Sequence, residues 1–350
     1  MLFFINLFFK FSLLQKIIIW QNKYPNGLFL TIVCVLLIIN SCSNFDRKTD
    51  EFREILHLKA DIIDINEIIV PDFMTLKGNN LVISSSRSTP NMLYAYSTPL
   101  LEFKVDFGTQ GQGPGEIKSF PMFCESPGSD DLYVWGYSPV TIKKISISEN
   151  GEVGYKGEIT LKRYEAFNNM TIIGDSVFVF YLPDNMTVKI CDLVNNKERT
   201  ITLSKDDHHQ SYFYSNRGYI ATNESKLVYS YLFKKQIDIY DLFTLKLKTR
   251  ISDEKKYPKP TPGDFSSLTY HYVGLYASEK YFYALYRGGK WEAGDQSSLF
   301  LEVYDYDGNQ IMKYSFDINP SLFVVDERNG KIYGFNEEYE DNLLRYNIKH

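Results

Sequence analysis

Gly78-Asn79-Asn80-Leu81-Val82-Ile83 is a turn that leads straight into an apolar run. Glycine and asparagine tolerate left-handed backbone, and Leu-Val-Ile suits a strand buried on both faces. The pattern returns as Ser129-Asp130-Asp131-Leu132-Tyr133-Val134, Gly174-Asp175-Ser176-Val177-Phe178-Val179 and Asn223-Glu224-Ser225-Lys226-Leu227-Val228-Tyr229. It returns again as Ala277-Ser278-Glu279-Lys280-Tyr281-Phe282-Tyr283 and Arg328-Asn329-Gly330-Lys331-Ile332-Tyr333. The spacing averages about 50 residues, which fits a four-stranded propeller blade and is too long for most helical repeats.

Further strand-like runs follow the turns. Examples are Met92-Leu93-Tyr94-Ala95-Tyr96 with Leu101-Glu102-Phe103-Lys104-Val105, and Phe300-Leu301-Glu302-Val303-Tyr304 with Ile311-Met312-Lys313-Tyr314. The 27 Tyr and 25 Phe of the 350-residue chain suit pleated, half-buried surfaces better than helices. These features predict an all-β fold, a six-bladed β-propeller over residues 54–350. One blade cannot bury its own faces, whereas radial stacking gives each blade two neighbours and leaves only short edges. Ring closure is expected to use Glu54 to Val70 as an extra strand of the last blade.

The formal charge of −5 and the absence of a long Lys/Arg run argue against a nucleic-acid partner, which needs a concentrated basic face. Of the four cysteines, Cys34 and Cys42 fall in the N-terminal region, leaving Cys124 and Cys191 in strand-like contexts. There they are expected to be free thiols acting as small hydrophobes, with no spacing that suggests zinc.

Leu28 to Ile39 is an uninterrupted apolar run preceded by Lys23, and Ile39-Asn40-Ser41-Cys42 follows. This resembles the lipobox of bacterial lipoproteins. The resemblance implies a signal peptide over residues 1–41, lipidation of Cys42, a tether over 42–53, and attachment of the body to a membrane. The run is short for a membrane span and of the right length for a signal core. A membrane-spanning helix beside a coincidental cysteine is the alternative. Met1 to Trp20 is also largely apolar, so the start of translation stays open. Ser43 follows the cysteine where an inner-membrane retention signal would place Asp. Outer-membrane delivery follows, with the periplasmic face favoured over the cell surface.

Phe107-Gly108-Thr109-Gln110-Gly111-Gln112-Gly113-Pro114-Gly115-Glu116, followed by Phe120-Pro121, resembles the inter-blade turn of NHL-type propellers. With the lipobox and six repeats, the chain is similar to the TolB-like six-bladed propeller lipoproteins of Bacteroidota, a family that implies the fold and little about activity. A phosphate loop would need the glycines to open a helix, and Glu116 would repel phosphate, so a structural turn is expected.

If the second and third strands of each blade meet at one face, Arg87, Tyr137, Tyr181, Tyr231, Arg287 and Asn336 fall at equivalent strand ends, with Trp291 and Glu292 on the long loop of the fifth blade. Tyr, Trp and Arg combine flat apolar surface with polar tips and suit a protein, peptide or glycan ligand. Ordinary packing in a Tyr-rich protein is the competing reading. The chain is thus read as a noncatalytic binding lipoprotein, or as a sensing accessory whose ligand shifts contacts to another envelope protein. The alternative is a metal-dependent extracytoplasmic hydrolase or lyase, with calcium as the possible cofactor. That chemistry needs several inward donors, and Asp72, Glu125, Asp326 and His271 are the scattered candidates. His208-His209 is too poor a pair to imply a metal site, since neighbouring residues on a strand face opposite ways.

Overall fold

Each of the six repeated turns joins the first two strands of an antiparallel sheet. The computed structural model describes residues 45–350 except 49–51, 69, 114, 119, 137–139, 162–168, 183–186, 196, 204–215, 254, 258–267, 291–298 and 350. The signal segment and Cys42 lie outside the described residues. Three short strands come first: β1 (Phe45–Lys48), β2 (Ile55–Leu58) and β3 (Asp61–Asp64). Blade 1 is β4 (Phe73–Lys77), β5 (Asn80–Ser84), β6 (Asn91–Ser97) and β7 (Phe103–Thr109). Blade 2 is β8 (Met122–Cys124), β9 (Leu132–Gly136), β10 (Thr141–Ile147) and β11 (Val153–Thr160). Blade 3 is β12 (Asn169–Ile173), β13 (Val177–Leu182), β14 (Thr187–Asp192) and β15 (Lys197–Thr202). Blade 4 is β16 (Gly218–Thr222), β17 (Lys226–Tyr231), β18 (Gln236–Asp241) and β19 (Leu247–Ser252), with β1 beside β19. Blade 5 is β20 (Thr269–Ala277), β21 (Tyr281–Lys290), β22 (Phe300–Asp305) and β23 (Gln310–Phe316). Blade 6 is β24 (Leu322–Asp326), β25 (Lys331–Phe335) and β26 (Asn342–Asn347), completed by β3.

The segment expected to close the ring does so through β3, which pairs antiparallel with β26, Ile63 opposite Leu343. The preceding β2 goes instead to blade 5, where it runs parallel to β23 with Leu58 opposite Phe316. One short segment therefore ties two adjacent blades to the start of the chain.

Every pair of neighbouring blades shares an apolar core. Val82 and Val134 meet between blades 1 and 2, Cys124 and Phe178 between 2 and 3, and Ile190 and Leu227 between 3 and 4. Ile239 and Phe282 meet between blades 4 and 5, Leu301 and Ile332 between 5 and 6, and Leu343 and Leu81 between 6 and 1. Cys124 and Cys191 are not joined in a disulfide and lie buried in the core between blades 2 and 3.

The tyrosine content has a structural use. Tyr133, Tyr229, Tyr283 and Tyr333 recur in the second strands of their blades and are fully buried. A tyrosine ring fills the gap between two blades, and in three of the four, Tyr133, Tyr229 and Tyr283, the hydroxyl also reaches a polar partner, whereas that of Tyr333 has none among the described residues. Tyr133 of blade 2 donates to Asp175 of blade 3, and Tyr283 of blade 5 donates to Glu327 of blade 6 at 2.8 Å.

Third-strand acids form a second device. Asp238 on β18 and Glu302 on β22 stand at the third position of their strands and are both 0% exposed. Arg250 donates to Asp238 through Nε at 2.8 Å and Nη2 at 2.9 Å, and Lys313 donates to Glu302 at 2.9 Å. Tyr231 and Tyr240 add hydroxyl donors to Asp238, and Tyr272 and Tyr304 do so for Glu302. A buried carboxylate is tolerable when its lone pairs are satisfied in this way.

The Gly108–Glu116 turn is structural, as its sequence implies. Glu116 accepts the Gly113 N–H at 2.7 Å, and Lys143 donates to the Gly113 carbonyl at 2.5 Å. Gly108 sits at φ +77°, and a Cβ there would approach Ile117 Cδ1 to 2.7 Å, so both conformation and space demand glycine. Asp305-Tyr306-Asp307-Gly308-Asn309 is likewise a hairpin turn, in which Asp305 Oδ1 accepts the N–H groups of Asp307 and Asn309.

Candidate functional site

The first strand of each blade is the inner one, and those of blades 1 to 5 line a cavity of about 200 Å³ on the axis. Its walls come from the starts of β4, β8 and β12 and the ends of β16 and β20, with residues of the second strands β9 and β13 behind them. Phe73, Met122, Trp135, Met170, Tyr181 and Tyr276 are among its apolar lining. Phe120 stands edge-on to Phe73, with ring centroids 5.9 Å apart, and is itself 39% exposed. Its φ of +63° is uncommon for a bulky residue, and such backbone persists only where the surroundings impose it.

The polar groups of the wall are mostly spoken for. Asn169 Nδ2 donates to the Ile220 carbonyl at 3.2 Å, and Thr222 donates to Thr171 at 2.8 Å, both joining blades 3 and 4. Glu125 joins blades 2 and 3 through its backbone, its N–H donating to the Met170 carbonyl at 3.0 Å and its carbonyl accepting from Ile172 at 2.7 Å. The Glu125 carboxylate is different. Its side chain is exposed to the cavity space, and none of the hydrogen bonds and ion pairs of the described residues involves it.

The protein that surrounds the cavity partly desolvates the Glu125 carboxyl and pushes it above the usual carboxylate range, opposed by the attraction of Lys77. Lys77 is held elsewhere: its ammonium donates to the Ser126 carbonyl at 2.9 Å, Ser126 Oγ at 2.6 Å and the Ser129 carbonyl at 3.3 Å. Burial pulls the Lys77 ammonium below its usual value, against the pull of Glu125, Asp130 and Asp131. Burial first, then the negative charges of Glu125, Glu327 and Asp326, keep the Tyr276 hydroxyl protonated far above the phenol range.

A carboxyl raised in the folded state adds stability while protonated and loses it as pH climbs through the folded value. Glu125→Gln is therefore expected to be more stable than the parent at neutral pH, with the two thermal midpoints converging below the normal carboxylate range. Midpoints measured from acid to neutral pH check this.

The candidates from sequence are dispersed. Arg87 is exposed on the loop between β5 and β6. Arg287 lies on the long strand β21, its Nε donating to the Lys290 carbonyl at 3.3 Å. Tyr181 lines the cavity, but its hydroxyl is paired with that of Tyr229 at 2.9 Å. Tyr231 is 1% exposed and donates to Asp238, so it offers no surface to a ligand. Asn336 caps a 3-10 turn over Glu337–Tyr339, accepting from the Glu338 N–H at 2.7 Å and donating to the Asn319 carbonyl at 2.6 Å. Tyr137, Trp291, Glu292, His208 and His209 lie outside the described residues.

The inward donors do not converge either. Asp72 accepts from the Ser86 N–H at 2.5 Å, and Asp326 accepts from Asn329 within its own turn. Among the described residues, no three His, Cys, Asp or Glu side chains come together as a metal-holding group. Sequence reasoning placed Glu125 near an inner strand without marking its isolation. The aromatic walls at Phe73, Trp135 and Tyr276 carried no signal distinguishing them from core.

His271 is buried between blades 4 and 5, edge-on to Tyr257 with centroids 4.9 Å apart, and neither ring nitrogen has a hydrogen-bond partner. Burial pulls its pKa down to about 4, against the attraction of Asp253 and with the repulsion of Lys235 and Lys255. Between about pH 6.5 and about 4 the unfolded chain takes up a proton that the folded chain refuses, so stability falls as pH drops through that window. The loss should approach about 3 kcal/mol, and His271→Leu should abolish that component in denaturant titrations across the window.

Comparison with known proteins places this geometry in a family. The family described as "TolB-like 6-blade propeller-like" matches residues 50–328. No curated protein matches. In fold, the chain is similar to a protein of Bacteroides fragilis named "Putative exported protein", with a TM-score of 0.55, 13% identity, and coverage of 88% of this chain and 99% of that one. It is similar to the same degree to a member of the DUF4221 family from Bacteroides vulgatus, with a TM-score of 0.55, 14% identity, and coverage of 85% and 98%. The six closed blades and the match over most of its length together show that this chain belongs to the TolB-like six-bladed propeller family.

Proposed function

We propose that this chain is an exported binding lipoprotein, anchored through Cys42, whose propeller receives a protein, peptide or glycan partner at the axial cavity without transforming it. The observation that carries the reading is the cavity: an aromatic-walled space on the axis into which an unpaired carboxylate, Glu125, projects. Ligand sites are typically concave and mainly apolar with a few placed polar groups, and this cavity has that make-up. Hydrolysis or elimination would need a second acid or base, or a gathered set of metal donors, beside Glu125. The dispersal of Asp72, Asp326 and His271 favours binding.

Export and anchoring rest on the lipobox-like Ile39-Asn40-Ser41-Cys42. They are also supported by the name of the Bacteroides fragilis protein of similar fold. Two or more acyl chains on Cys42 would hold the body firmly, with outer-membrane attachment and a periplasmic body as the favoured arrangement.

Chemical cross-linking of the native protein in intact cells, followed by mass spectrometry, tests the reading. A defined partner captured by the parent and lost from a Cys42→Ala variant supports an anchored binding protein. Turnover of a small molecule by the purified chain, abolished in Glu125→Gln, would replace it with an enzyme.

A further inference from the structure

We infer that the axial cavity recognises a cationic nitrogen, an ammonium or guanidinium such as a Lys or Arg side chain presents, seated against Glu125. This rests on the reading of the cavity as the ligand site. Glu125 is exposed to the cavity space with no protein donor on its carboxylate among the described residues, and a cation supplies both the opposite charge and the donors. Lys77 does not fill that role: three acceptors on Ser126 and Ser129 hold its ammonium, and no ion pair joins it to Glu125 among the described residues.

The rest of the wall fits the same class. Phe73 and Tyr276, both partly exposed, place aromatic surface on the cavity, which favours a cation, above all a partly desolvated one. An anion would meet Glu125 directly, and Glu327 and Asp326 extend the negative field to the Tyr276 hydroxyl. A bound metal ion would need several protein ligands, and among the described residues no other carboxylate, His or Cys joins Glu125 in lining the cavity. At about 200 Å³ the space is smaller than a typical drug-sized pocket, so it suits one side chain or a chain terminus of a larger partner.

The test is calorimetric titration of the lipoprotein in detergent with N-acetyl-argininamide and N-acetyl-lysinamide. Their neutral counterparts, N-acetyl-citrullinamide and N-acetyl-norleucinamide, serve as controls. At least one cationic probe should bind at least tenfold more tightly than its counterpart and lose at least tenfold in Glu125→Gln, about 1.4 kcal/mol. Its affinity should also fall as pH is lowered and Glu125 takes up its proton. Equal binding of neutral probes, or an unchanged Glu125→Gln, overturns the cation assignment and leaves the cavity as a site. Failure of both cationic probes overturns the assignment as well, while partner capture in cells decides the binding reading separately.

Discussion

A variant lacking residues 55–64 is expected to lose at least about 5 kcal/mol of stability and to unfold without a sharp transition. The deletion removes β3, the fourth strand of blade 6, and β2, which covers the outer edge of blade 5. Leu343, Leu344 and Tyr346 of β26 are 0% exposed in the closed ring, and Leu58 is 5% exposed. Each fully buried side chain of this size contributes about 1.5–3 kcal/mol, so uncovering several removes much of the marginal stability of a domain. The unpaired edge of β26 would also invite association between chains. Urea denaturation and light scattering together read this out. A deleted chain with the parental transition would mean that the ring does not depend on β3.

Asp238→Ala is expected to cost about 3–5 kcal/mol, because it removes the acceptor of a buried pair and leaves Arg250 and the Tyr231 hydroxyl without it. Replacing both Asp238 and Arg250 by apolar residues should recover a large part of the loss, since the penalty lies in the stranded partner more than in the missing attraction. Denaturant midpoints of the single and double variants check this. Equal loss in both would point to packing around β18 in place of the pair.

Much of the ring was legible because its turns repeat. The first hairpin of each blade needs polar, turn-forming residues between two apolar strands, and that demand recurs wherever a blade begins, from Gly78 to Gly330. Closure was legible for a related reason: a strand-like segment before the first repeat has only the last blade to complete. The split of that segment between blades 5 and 6 was not, because β2 pairs with β23 through backbone groups that leave no mark on side-chain choice.

The site was harder to read. Tyr181 and Tyr231 occupy related strand ends, yet one lines the cavity and the other is sealed against Asp238, seven residues away across a hairpin. Tyrosine serves both places equally well, so residue type does not separate them. Glu125 gains its character from missing neighbours: Asp326 and Glu327 are carboxylates of the same chemistry, but each has donors of its own. Such isolation is a property of three-dimensional arrangement that local sequence does not encode.

The most direct test of the axial cavity as the partner site is position-specific photo-cross-linking in intact cells. The photoreactive side chain p-benzoylphenylalanine would replace Phe73 in the cavity wall, Phe120 beside it, or Leu193 on the exposed turn between β14 and β15. Capture of one partner through positions 73 and 120, absent at 193, is the expected result. Capture through position 193 with none at 73 or 120 would contradict it and move the binding surface to the outer edge of the ring.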